Sequence, residues 1–166
     1  MDYKLKKYKY KLSQMQNIYY YFNTYNKPIP AKYTKLLNII KYDFPYIQEA
    51  TTDQYKNIRH NAIELCKDNY HARAKLDIGS FNIIFTIFIL TDKVESVINF
   101  IITDNNKCYI ETICGFTNNI LINTLKKICY MYGLSKIEIY STYNLESQYL
   151  LQNNFKLVSS RLQYEL

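Results

Sequence analysis

The sequence predicts a mixed α/β domain, with antiparallel strands in its first half and crossover helices later. Three observations lead there. The β-like runs "FNIIFTIFIL" (81–90), "SVINFIITD" (96–104) and "KCYIETIC" (107–114) follow one another with only short polar turns between them, the spacing of an antiparallel meander. An amphipathic stretch from Ile120 to Tyr132, closed by Gly133 where a left-handed C′ residue belongs, separates that meander from another β-like run, "KIEIYS" (136–141). Hydrophobic residues make up 48% of the 166, which is enough for a real core.

Along the chain, "DYKLKKYKYKL" (2–12) alternates loosely, lysines against Tyr8, Tyr10 and Leu12, as a lysine-blunted edge strand or an arm would. Ser13 and Gln16 have capping-box spacing for a helix through Tyr25, with Leu12, Met15, Ile18, Tyr19 and Phe22 at helical intervals. "NKPIP" breaks that pattern. A second helix is expected from Pro30 to about Tyr42, turning Leu36, Leu37 and Ile40 inward. "YIQEA" (46–50) reads as a short strand. "TTDQYKNIRHNAIELCKDN" (51–69) reads as a helix capped by Thr51 or Thr52, burying Tyr55, Ile58, Ala62, Ile63 and Leu65 or Cys66. After the meander, the helix and "KIEIYS", a short helix over 146–152 and one or two closing strands in "FKLVSSRLQYEL" complete the order β-α-β-β-β-α-β-α-β. A boundary near residue 45 divides a basic, partly helical extension (1–45) from the main domain (46–166).

Charge supports that division. Residues 1–45 hold nine Lys and two Asp, the whole excess of +7, while residues 46–166 are balanced. An arm of this kind suits an anionic partner, and lysines interleaved with Tyr3, Tyr8 and Tyr10 over residues 1–12 would suit nucleic acid. A solvated edge, or a segment docked on the domain, explains the same composition. Cys66, Cys108, Cys114 and Cys129 form no CxxC pair and are expected to pack as free, small hydrophobes. His60 and His71 are the only histidines, so no metal site is expected. His60 and Cys66 stand six apart on one helix and face different ways, which excludes a Cys/His nucleophile there. No apolar run follows the N-terminal lysines and none is long enough to span a bilayer, so an intracellular, reducing, cytoplasmic setting without membrane contact is the expectation.

The order of elements and the residues at its joints resemble the GNAT superfamily of acyl-CoA-dependent N-acetyltransferases over roughly Tyr46 to Leu166. "IQEATTDQYKNI" is similar to that family's opening strand and first helix. "KCYIETICGFTNNILINTLKKICYMYG" is similar to its central strand, cofactor loop and following helix. "IEIYSTYNLESQYLLQNNFKLV" is similar to its next strand, its Asn (here Asn144), its short helix and its final "GF" segment, with Phe155 as the Phe. The resemblance implies transfer of an acetyl group from acetyl-CoA to an amine on a small molecule or protein. It also implies that the strand around Ile110 and Ile113 pairs with the pantetheine arm. The amides around Gly115, Thr117, Asn118, Asn119 and Ile120, with Asn144, would then hold the pyrophosphate. The sequence departs from the family in three places. Only Gly115 remains of the loop glycines, the usual basic residue is missing, and Asn154 replaces the "GF" glycine.

Amine acetylation needs a base for the amine and a proton for the leaving thiolate. By the resemblance, Glu111 is the candidate base; strict alternation would put it on one face with Lys107, Tyr109 and Ile113. Tyr149 and Tyr143 stand near the family's acid position, with Tyr140 or a water as substitutes. Each has a plainer reading: Glu111 solvating a sheet face, the tyrosines packing under the last strand, and Asn118 or Asn119 capping the helix amides that phosphate would use. A GNAT-fold module without catalytic activity, binding protein or nucleic acid through its arm, is the alternative function. The acceptor and the oligomeric state are not encoded in any motif.

Overall fold

The computed structural model describes residues 18–22, 29–68, 85–90, 92–115, 119–140, 150–158 and 161–166. Its elements, in chain order, are β1 (Ile18–Phe22), α1 (Ala31–Asp43), β2 (Gln48–Glu49), α2 (Thr52–Leu65), β3 (Phe85–Leu90) and β4 (Val94–Ile102). Then follow β5 (Lys107–Cys114), α3 (Ile120–Tyr132), β6 (Lys136–Tyr140), β7 (Lys156–Val158) and β8 (Arg161–Glu165). The strands form one sheet in the order β2-β1-β3-β4-β5-β6-β8-β7. The β1/β2 and β5/β6 pairs are parallel and the rest antiparallel, so the expected mixed sheet with an antiparallel first half is what forms.

Helices cover both faces. Tyr33, Leu36 and Ile40 of α1, spaced along one side of the helix, meet Leu121, Ile122, Leu125, Ile128 and Cys129 of α3 in the larger core, over Ile87, Ile98, Phe100 and Ile110 of the sheet. The smaller core joins Ile58, Ala62 and Cys66 of the α2 segment to Phe88, Val97 and Cys114. Local chemistry fixes the helix ends. Pro30 stands at the start of α1, where its missing N–H costs nothing. At α2 the Gln54 side chain accepts a hydrogen bond from the Thr51 amide at 2.9 Å, as a capping box requires. Gly133 ends α3 in the left-handed region at φ 88°, and the Leu134 amide bonds back to the Cys129 carbonyl.

Three sequence expectations change. The helix expected over residues 13–25 gives way at Ile18–Phe22 to a strand, antiparallel to β3 across five residue pairs. Its run of Ile, three Tyr and Phe suits a pleated surface better than a helix, and sheet pairing decides the matter. The strand expected over 46–50 shortens to Gln48–Glu49 and lies outside β1, so β1 and not "IQEA" is the neighbour of β3. Residues of the expected extension thus supply a strand to the sheet and α1 to the main core. The lysine-rich segment 2–12 and most of the short helix 146–152 lie outside the described residues.

The third change concerns the cysteines. Cys66, just past α2, and Cys114, at the end of β5, are joined in a disulfide with Cα atoms 5.6 Å apart. Cys108 and Cys129 remain free and buried, as expected for all four. A reducing compartment, inferred from free cysteines, therefore loses that support. No described helix is long and apolar enough to cross a membrane.

Candidate active-site cleft

The cleft arises where β5 and β6 part. Their parallel pairing runs only from Lys107–Lys136 to Tyr109–Glu138. Beyond it β5 continues to Cys114 alongside β4, while β6 continues to Tyr140 alongside β8. Among the described residues, the edge of β5 from Ile110 onward therefore lies beyond its ladder with β6. At the closed end of the gap, Lys107 and Glu138 bridge the two strands at 3.4 Å.

A β-bulge sits at the mouth of this gap. Asn99 of β4 faces Thr112 but Phe100 faces Ile110, leaving Glu111 as the extra residue. A bulge breaks the two-residue alternation and re-aims the side chains after it. The consequence overturns one sequence expectation: Glu111 does not share a face with Ile113. Ile113 joins Cys108 and Ile110 in the α1/α3 core, whereas Cys114 turns to the α2 face and reaches Cys66. Glu111 itself is half-buried at the point where the sheet opens.

Gly115 follows at φ 78°. A Cβ there would lie 2.1 Å from the Glu95 carbonyl oxygen and 2.9 Å from the Ser96 Cα. The glycine is thus required by β4, the chain's own backbone, before any ligand is considered. Asn119 stands at the N-terminus of α3, and its side chain makes no capping hydrogen bond. It accepts one instead from Asn153 Nδ2, at 3.4 Å. Capping by Asn119 is therefore not what closes this helix end, and no acidic residue occupies the first turn of α3, whose dipole presents positive charge. Ile110 and Ile113 are buried and Ile120 half-buried, so these three would contribute backbone and not side chains. Thr117, Asn118, Tyr143, Asn144 and Tyr149 lie outside the described residues. Asn154 adopts φ 66°, the left-handed backbone a glycine would otherwise supply.

Sequence reasoning missed a polar row beside the bulge. Thr86, Asn99 and Thr112 are aligned across β3, β4 and β5. The Thr86 hydroxyl donates to Asn99 Oδ1, while the Thr112 hydroxyl is buried with no hydrogen-bond partner among the described residues. The available signal was a polar interruption of each apolar run: Thr in "FTIFIL", Asn in "VINFII" and Glu-Thr in "IETIC". Asn153 was also missed: it is buried, and its carbonyl receives the Lys126 ammonium.

Comparison with solved structures decides the fold. The aminoglycoside 6'-N-acetyltransferase from Enterococcus faecium superposes on 70% of this chain and 94% of its own, with TM-score 0.52 and 8% identity. The chain has the GNAT fold. A GNAT-family acetyltransferase from Brucella melitensis, solved with acetyl-CoA, matches 70% of this GNAT-fold chain and 84% of its own at TM-score 0.53 and 11% identity. An aminoglycoside 6'-N-acetyltransferase complexed with coenzyme A matches 64% and 89% at TM-score 0.51 and 10% identity. No protein-family model matches the sequence, and no curated protein does.

Proposed function

We propose that this GNAT-fold chain is an N-acyltransferase that moves an acetyl group from acetyl-CoA to an amine. The observation that carries the reading is the parting of β5 and β6 from Ile110 onward, with Glu111 bulged where they part and α3 the next element in the chain. The likeness to acetyltransferases solved with coenzyme A or acetyl-CoA supports it.

The residues present fit such a cofactor. The edge of β5 over Ile110–Ile113, beyond its ladder with β6, would take the amides of the pantetheine arm as a strand takes its neighbour. The turn at Gly115, Thr117, Asn118, Asn119 and Ile120 would bring backbone amides and the helix dipole to the pyrophosphate, with Asn144 beside it. No basic residue helps in that turn, so binding there depends on backbone donors. When bound, acetyl-CoA supplies an activated thioester carbonyl. Glu111 would take a proton from the acceptor amine, directly or through one water. Tyr149 or Tyr143 would give a proton to the sulfur that leaves. Thr112, buried next to Glu111 and without a partner among the described residues, would offer its hydroxyl to the acceptor.

Thermal denaturation with acetyl-CoA tests the cofactor half of this reading. A ligand at a hundred times its Kd stabilises the folded state by about 2.7 kcal/mol, so the melting temperature should rise. An unchanged melt at millimolar acetyl-CoA would rule out cofactor binding. Thiol release in the presence of a panel of polyamines, aminoglycosides and amino-terminal peptides then identifies the acceptor class.

A further inference from the structure

A cavity of about 550 Å³ lies on the α1/α3 face, a size within the range of about 300–1,000 Å³ that small-molecule sites occupy. It is not part of the cleft. Tyr164, one of its walls, pairs with Ile137, and Ile137 pairs with Cys108 at the closed end of the β5/β6 ladder. The cleft opens in the other direction, toward Cys114. The walls are aromatic and apolar: Phe44 and Tyr46 after α1, Tyr130 and Met131 on α3, Tyr164 and Leu166 at the end of the chain.

Lys126 is also one of the lining residues. Lys126 is half-buried, its Nζ 4.1 Å from the Tyr164 ring centroid and 5.6 Å from that of Phe155. Its only hydrogen bond among the described residues goes to the Asn153 carbonyl, and no described carboxylate comes within ion-pair distance. Asp43 and Lys127 also line the cavity, but both are exposed at its rim and of opposite sign. Burial pushes the Lys126 ammonium down from the ordinary lysine value. A cation set beside aromatic rings, with no described carboxylate at ion-pair distance, is complementary to a flat molecule carrying one negative group.

We infer that this cavity binds a small aromatic anion, with its carboxylate, sulfonate or phosphate against Lys126 and its ring between Tyr164 and the Tyr130–Met131 wall. The site is separate from the proposed acetyl-CoA cleft and does not depend on catalysis. Fluorescence titration with 1-anilinonaphthalene-8-sulfonate tests it, using the uncharged N-phenyl-1-naphthylamine as the charge control. The folded protein should bind the anionic probe saturably, with affinity unaffected by acetyl-CoA. Lys126→Met should weaken that binding about tenfold, the scale of one charge-assisted hydrogen bond, and leave the neutral probe unchanged. Lys126→Arg should retain binding. Tyr130→Asp, at a residue 72% exposed and so safe for folding, should weaken the anionic probe by repulsion. Equal affinity of the anionic probe for wild type and Lys126→Met, displacement by acetyl-CoA, or the absence of saturable binding would each overturn the inference.

Discussion

At Gly115 the space for a Cβ is taken by the Glu95 carbonyl, whereas at Gly133 nothing lies within 4 Å. Both have positive φ, so the two positions separate backbone strain from collision. Gly133→Ala should cost about 1–2 kcal/mol, the left-handed penalty alone. Gly115→Ala should cost about 2–5 kcal/mol, because β4 and β5 must also move apart. Urea denaturation of the two variants checks the difference; equal losses would mean that the Glu95 contact gives way freely. At Glu111, replacement by Gln keeps the shape and removes the proposed base. The expected outcome is a fall in kcat of about 10²–10⁴ with acetyl-CoA affinity unchanged. A loss of stability with little loss of kcat would make Glu111 a solvating residue instead. Gly115 and Glu111 were both legible as residues of interest from their place at the end of β5. What the sequence could not display is the bulge, since a single extra residue leaves no mark on "KCYIETIC". Strict alternation therefore put Ile113 on the wrong face and hid the approach of Cys114 to Cys66.

Between elements, the Cys66–Cys114 bond ties the end of α2 to the last residue of β5 across 48 positions of sequence. Closing a loop of that length should stabilise the fold by about 4 kcal/mol through the unfolded chain. Reduction, or Cys66→Ser with Cys114→Ser, should lower the urea midpoint accordingly, while Cys108→Ala should respond as a core truncation that is indifferent to reductant. If reductant leaves the midpoint of the wild type unchanged, the bond does not form in solution. The bounds of β5 and α3 were read to the residue, because "KCYIETIC" alternates as far as Ile110 and Ile120–Tyr132 buries one periodic face. Failure came at Ile18–Phe22, where apolar residues at 18, 19 and 22 satisfy a helical period as well as a strand. Only the partner strand β3, more than sixty residues away, resolves that ambiguity, and single-sequence periodicity carries no such long-range information.

Across the whole molecule, the helix-covered α1/α3 face buries acids that are neutral at pH 7. Burial raises the Tyr33 hydroxyl above 10.0, opposed by a hydrogen bond from the Ile102 amide, and raises Tyr46 and Tyr132 as well. Burial, with the neighbouring Cys129, holds Cys108 well above 9.0. Each of these groups keeps its proton longer when folded than when unfolded. The unfolded chain thus binds fewer protons at high pH, and stability falls as pH rises. Lys126, lowered by burial, has the opposite sign and adds stability with rising pH just below 10.5, but it is one group against four. Net stability should therefore be level to about pH 9 and decline through pH 10 and above. Tyr33→Phe removes one contributor. It should cost about 1 kcal/mol at neutral pH through the lost acceptor for Ile102, yet show a shallower alkaline decline than the wild type. Urea midpoints from pH 7 to 11 for both proteins measure this directly. Parallel declines would mean that the Tyr33 hydroxyl ionises in the folded state as readily as in water, and that the α1 contact does not exclude solvent.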